Sequence, residues 1–410
     1  MASKSRSRQK KENRNSALVV ISLSSIGALL ALLQNSFGQF SDIRGYYGLR
    51  FADGQHAWPF MDYTLIGATE PTVAVQYPAL MGLIMWIFSF FIEPAQYAWV
   101  DYFRLTATAQ IFIFSGVAYL IYKLSNKKAA ILFICAPAVL YSLNRNWDIW
   151  AVLTMFVAIL YFQRNRFSLS AFFLAVSIAT KFFPVVLLLP IYIHFYKRKE
   201  IKSAIKYTLE TFGYWFIINL PFMLINLKGW FAFYDFNFKR PIGSASIFEV
   251  TSMIGINLPT SKTILYGLNI IVLLAVYIFL IKYNSKNFIY EGSFFVMFAF
   301  MLFNKQYSMQ YIIWLAALAV LGMYRVNQKK QKLILTLYII WQASDLLFQY
   351  SFFQRILTGV YANSDTPASP EISSTFYAYA GVVRYVLAII FTVILASILF
   401  RQERQQIQKS

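Results

Sequence analysis

Apolar stretches of roughly 14 to 22 residues alternate along this chain with short basic or polar breaks. The ten-residue alternation that a membrane barrel needs is not visible. The pattern predicts membrane-crossing helices at roughly 16–34, 104–122, 129–143, 147–162, 168–180, 184–196, 204–225, 263–281, 288–303, 311–324, 333–350 and 377–400. The apolar run from Ala79 to Ile92 is about 14 residues long and follows Pro78, which predicts an interfacial or re-entrant helix instead. The expected fold is therefore an all-α integral membrane protein, a polytopic bundle of about 12 transmembrane helices. Its first loop, roughly 35–103, is far longer than a connector and carries interfacial helices. A single membrane domain fills 16–400, between basic tails at 1–15 and 401–410.

Basic residues set the orientation of such a bundle. Lys4, Arg6, Arg8, Lys10, Lys11 and Arg14 precede the first apolar run, which is long for a signal-peptide core and lacks an A-x-A-like end. Further clusters fall at Lys123, Lys127 and Lys128; at Arg164 and Arg166; from Lys197 to Lys206; at Lys282 and Lys286; from Arg325 to Lys332; and from Arg401 to Lys409. With all of these in the cytoplasm, roughly 25 of the 37 Lys and Arg lie inside. Both termini are then cytoplasmic in a multi-pass cell-membrane protein. Counting 79–92 as a crossing would turn Lys127 and Lys128 outward and invert every later segment.

Composition agrees: 59% of residues are hydrophobic, 13% are charged, and the mean hydropathy is +0.54. The net charge of +20 does not point to nucleic acid, because the cations sit in clusters between apolar segments and not along one stripe. The single cysteine, Cys135, lies in an apolar segment and reads as a small core residue, so no disulfide forms within the chain.

Polar patches on the predicted outer face are costly near lipid and so are candidates for chemistry. The first is Phe40-Ser41-Asp42-Ile43-Arg44, followed by Tyr46, Tyr47 and Tyr77-Pro78. A fixed carboxylate here can take a proton from a hydroxyl, or Ser41 or Asp42 can simply cap a short helix from Ile43 to Phe51. The second is Asn144-Arg145-Asn146-Trp147-Asp148, where Asp148 can pair with Arg145 as structural glue or support it against a phosphate. The third centres on Lys181, between two segments of about 13 residues that each span only about 20 Å, so their shared tip is expected to be sunk below the bilayer surface. A lysine at that depth needs a partner or a water-filled cavity, unless it snorkels. The fourth runs through Asn304, Lys305, Gln306, Gln310 and Tyr311. Lys239 and Arg240 in the predicted 229–262 loop, the Asp345 and Arg384 pair, and His56 are weaker candidates; His56 is assigned no role. No Gly-rich phosphate loop and no metal-ligand spacing occurs.

These patches, in this order, resemble the polyprenol-phosphate-mannose-dependent mannosyltransferases of glycosyltransferase family 87, in the multi-spanning C superfamily. The residues that carry the resemblance are Phe40-Ser41-Asp42-Ile43, Trp58-Pro59, Gln76-Tyr77-Pro78, Asn146-Trp147-Asp148, Ala179-Thr180-Lys181-Phe182-Phe183-Pro184, and Asn304-Lys305-Gln306 with Gln310-Tyr311 and Trp314-Leu315. Related patterns resemble the catalytic subunit of the GPI first mannosyltransferase. Two departures stand out: Ser308-Met309-Gln310 where the family often has Ser-Pro-Gln, and Arg44 where the GPI enzymes carry a second acid.

The resemblance implies Asp42 as the catalytic base, acting at the extracytoplasmic face on a polyprenyl-phosphate sugar donor and a glycan or glycolipid acceptor. Lys181, Arg145, Lys305 and Arg44 are expected to bind the donor phosphate. Asp148, Asn146, Tyr77, Asn304, Gln310 and Tyr311 are expected to support the site or the acceptor. No cofactor is assigned; a divalent metal would suit such chemistry, but no spacing supports one. The rival readings are a transporter or flippase of lipid-linked sugars, which predicts paired half-sequence repeats, and a non-catalytic scaffold subunit.

Overall fold

The computed structural model describes residues 2–36, 41–51, 58–64, 71–73, 75–243, 245–283, 285, 288–361 and 373–408. Phe40, His56, Lys286 and Lys409 lie outside the described residues.

The described residues are mostly helical. Helix α1 (Ala2–Ser36) extends the first apolar run back through the basic tail. The long first loop holds α2 (Asp42–Arg50), an antiparallel pair of short strands, β1 (Asp62–Thr64) and β2 (Pro71–Val73), and α3 (Ala79–Ser89). It closes at α4 (Ala98–Leu124), which begins before Phe103. The expected 129–143 crossing is divided into α5 (Lys127–Ile134) and α6 (Pro137–Ser142), because Pro137 has no N–H to continue a helix and instead sits in the first turn of the next one. Cys135 ends α5 and is exposed, not packed in the core as expected.

Then follow α7 (Asp148–Gln163), α8 (Phe167–Thr180) and a 3₁₀ turn (Phe183–Leu187) leading into α9 (Leu188–Lys197). Helix α10 (Ile201–Ile225) is succeeded by α11 (Leu227–Lys239) and α12 (Ile247–Ser252), which occupy half of what reads in sequence as a 229–262 loop. Asn226 and Ser246 cap these two through their side chains, accepting from Gly229 N and Glu249 N. Each such cap contributes about 1 kcal/mol. Helices α13 (Lys262–Lys282), α14 (Ile289–Leu302), α15 (Tyr311–Met323), α16 (Gln328–Tyr361) and α17 (Ser374–Ile407) complete the chain.

Among the described residues, six helices are long and apolar enough to cross a membrane: α1, α4, α10, α13, α16 and α17. Six shorter apolar helical segments have 10 to 17 residues. Every residue of α15 is buried, as its uninterrupted apolar sequence requires, since a helix apolar on all sides must be surrounded. Contacts gather the helix ends into two groups. At one end Tyr122 bonds Asn13 (3.2 Å), Arg325 pairs with Glu291 (3.4 Å), and Gln402 bonds the Arg325 carbonyl (3.0 Å). The starts of α2, α7 and α15 and the end of α8 meet at the other.

Candidate functional site

The tip between α6 and α7 organises this second end. Ser41 does not cap α2 through its side chain; its hydroxyl donates to the Asn144 carbonyl at 2.8 Å, and the Asp42 N–H donates to the Arg145 carbonyl at 2.9 Å. Two bonds therefore staple the start of α2 to the turn before α7. Asn146, itself held by Gln110 through its carbonyl (2.9 Å), aims its amide outward. Nδ2 donates to Asp42 Oδ2 at 2.9 Å and to Tyr77 Oη at 2.7 Å. Tyr46, Tyr77 and Trp147 stand edge to face around this amide, with ring centroids 5.3 to 5.7 Å apart.

Lys181 ends α8, and its ammonium lies 2.8 Å from Asp148 Oδ1 and 4.8 Å from the Tyr77 ring centroid. The other Asp148 oxygen accepts from Trp314 Nε1 at 2.9 Å. The expected pairing of Arg145 with Asp148 does not occur. Arg145 packs its guanidinium over Phe353 (3.9 Å) and Tyr141 (4.8 Å), and Arg44 packs over Phe103 (4.3 Å) and Trp99 (5.4 Å). Flat, delocalised guanidinium groups favour aromatic faces, and here both side chains pack against them.

A cavity of about 730 Å³ opens at this point. Its size is in the range of small-molecule sites. It is lined by Asp42, Tyr77, Asn146, Lys181, Asn304, Lys305, Gln310 and Tyr311 among the residues expected from sequence. Arg44, Arg145 and Asp148 do not line it. Asp148 stands behind Lys181, its side chain fully buried. Burial pushes the Asp42 carboxyl above its ordinary 3.8, while the Asn146 hydrogen bond and the Lys181 charge pull it back. Burial also pushes Tyr46 up to about 12 and Tyr77 well above 10.0, so both phenols stay protonated at neutral pH.

Helix α11 forms an aromatic wall: Phe231, Phe233, Tyr234, Phe236 and Phe238 all line the cavity, with Asp235 and, just past the helix, Arg240. The sequence reading missed this helix and with it Asp235; its signal was the run of aromatic residues following the Asn226 cap. Lys239 faces elsewhere, paired with Asp235 at 2.8 Å. Lys305 donates to the carbonyls of Phe238 (3.0 Å) and Arg240 (3.4 Å), which tethers the end of α11. Asp345 and Arg384 are both fully buried and form no ion pair within 4.0 Å; Asp345 accepts from Gln349 at 2.7 Å. Among the described residues no three His, Cys, Asp or Glu side chains gather as a metal site would require.

Comparison with protein-family models finds none that matches this chain, and comparison with curated proteins finds no match.

Proposed function

We propose that the chain is a polytopic membrane glycosyltransferase of about 12 traversals, with its long first loop on the extracytoplasmic side. It transfers mannose or a related sugar from a polyprenyl-phosphate donor to a lipid- or polymer-linked glycan. The observation that carries this reading is the meeting of Asp42, from the first loop, with Lys181, Lys305 and the polar 304–311 segment around one cavity. An acid raised by burial and cations drawn from separate helix ends are the parts that an acid–base transfer from a phosphate ester needs.

In this reading Asp42 takes the proton of the acceptor hydroxyl as its oxygen attacks the anomeric carbon. The bond from that carbon to the phosphate oxygen breaks, and polyprenyl phosphate departs with the electron pair. One displacement inverts the anomeric centre, so a β-linked donor yields an α-linkage. Asn146 orients the carboxylate, and the protonated Tyr77 hydroxyl beside it is available to donate to a sugar oxygen. The aromatic wall of α11 suits the apolar tail and the sugar face.

The test is reconstitution of the purified protein in vesicles with polyprenyl-phosphate-mannose and candidate glycolipid acceptors. Transfer with inversion supports the reading. Movement of the intact donor between leaflets without transfer would replace it with the transporter.

A further inference from the structure

Resting on the reading just given, we propose that Arg240 forms the anion subsite of the cavity and takes the phosphate of the lipid-linked donor, with Lys181 held by Asp148 instead.

The charge balance of the cavity carries this assignment. Among the described residues three cationic side chains line it: Lys181, Arg240 and Lys305. Lys181 is already neutralised, 2.8 Å from a carboxylate whose side chain is fully buried, and its own side chain is only 15% exposed. Lys305 directs its ammonium to two main-chain carbonyls at the end of α11. Arg240 alone of the three has neither a carboxylate within 4.0 Å nor a hydrogen bond from its guanidinium among the described residues; its nearest aromatic face, Phe236, is 5.5 Å away. A guanidinium without a partner presents its full fork of donors, which matches a phosphate in two-point geometry better than an ammonium does. Its charge also reaches Asp42, Tyr46 and Tyr311, each of which lines the same cavity.

The segment that carries Arg240 is bonded to Lys305 and Gln306. Gly243 N donates to the Lys305 carbonyl at 2.9 Å, and Gln306 donates to the Pro241 carbonyl at 3.3 Å. Two residues on, Ala245 adopts a left-handed φ of 66°, a costly conformation for a residue with a Cβ. Four side chains hold it there. Glu249 (2.6 Å) and Tyr377 (3.1 Å) accept from its N–H, while Arg384 (2.8 Å) and Tyr385 (3.0 Å) donate to its carbonyl. Arg384 is buried in α17, so a charge deep in the bundle is used to fix Ala245. Such anchoring lowers the ordering cost of binding, as a preformed phosphate site requires.

The experiment measures binding of a short-chain polyprenyl phosphate, and of the matching neutral polyprenol, to the purified full-length protein in detergent. Wild type is expected to favour the phosphate by tenfold or more, about 1.4 kcal/mol. Arg240→Met is expected to abolish that preference while leaving polyprenol affinity unchanged, which also shows that the variant is folded. Arg240→Lys should restore part of it, and Lys181→Met should keep most of it. Loss of the preference in Lys181→Met with its retention in Arg240→Met would overturn the assignment and leave the proposed function standing. Absence of any preference in wild type would overturn both.

Discussion

The Lys181 ammonium and the Asp148 carboxylate meet at 2.8 Å where the α7 and α8 tips adjoin, and the second Asp148 oxygen is bonded to Trp314 on α15. One buried carboxylate therefore ties three helices together directly beneath the cavity. Lys181, at the end of α8, cannot move without breaking the pair, and its position over the Tyr77 ring is set by the helix packing.

Removing the acid isolates a cation and an indole N–H at once. Asp148→Ala is expected to cost about 3 kcal/mol, the lower end for breaking a buried pair because Lys181 retains access to the cavity. Thermal unfolding in detergent measures this. A change under about 0.5 kcal/mol, the scale of a plain surface substitution, would show that the pair does not secure the tip.

Asp42→Asn keeps the shape of the carboxylate and its contact with Asn146 but cannot accept a proton. Turnover with a lipid-linked donor is expected to fall about 100- to 10,000-fold, with membrane insertion and donor binding retained. Full activity in this variant would remove Asp42 from the mechanism.

The acid side of the pH profile follows from the same carboxyl. The base works only when ionised, and burial raises its pKa above 3.8, so activity falls with decreasing pH at a higher pH than for an ordinary aspartate. The Lys181 charge lowers this pKa and the Asp148 charge raises it. Lys181→Met is therefore expected to move the acid limb to higher pH, and Asp148→Asn to lower pH. Residual turnover across pH measures both, and shifts of the same sign in the two variants would rule out Asp42 as the titrating group.

The apolar pattern located most helices within a few residues, because long segments with no polar alternative have one way to satisfy their backbone in lipid. It failed where one residue outweighs a run. Pro137 divides a stretch that hydropathy reads as continuous, and the Asn226 cap starts α11 inside an apparent loop. Polar patches at helix tips marked Asp42, Asn146 and Lys181, which line the cavity together. Sequence proximity misled at Arg145 and Asp148: three residues apart, they suggested a pair, yet the helix that starts at Asp148 turns its carboxylate toward Lys181 and Trp314. Arg44 and Arg145 carried the right charge, but cation–π packing against nearby rings is a tertiary choice that no local pattern reveals.

One glycine near the start of α11 and one just beyond its end have different tolerances. A Cβ at Gly229 would run into the main-chain carbonyl of Phe60, which already accepts from Asn226 Nδ2 at 3.0 Å. A Cβ at Gly243 would meet the end of the Gln306 side chain, which can rotate aside. In an unobstructed helix, replacing Gly by Ala gains up to about 1 kcal/mol of propensity, as is expected at Gly45 of α2, where nothing lies within 4 Å. Gly229→Ala is expected to lose about 1 to 3 kcal/mol despite that gain, because overpacking against backbone forces α11 to shift. Gly243→Ala should cost less stability than Gly229→Ala while perturbing Gln306 at the cavity wall. Thermal unfolding of the three variants ranks them, and a Gly229→Ala protein as stable as Gly45→Ala would show that the start of α11 is not seated on the Phe60 carbonyl.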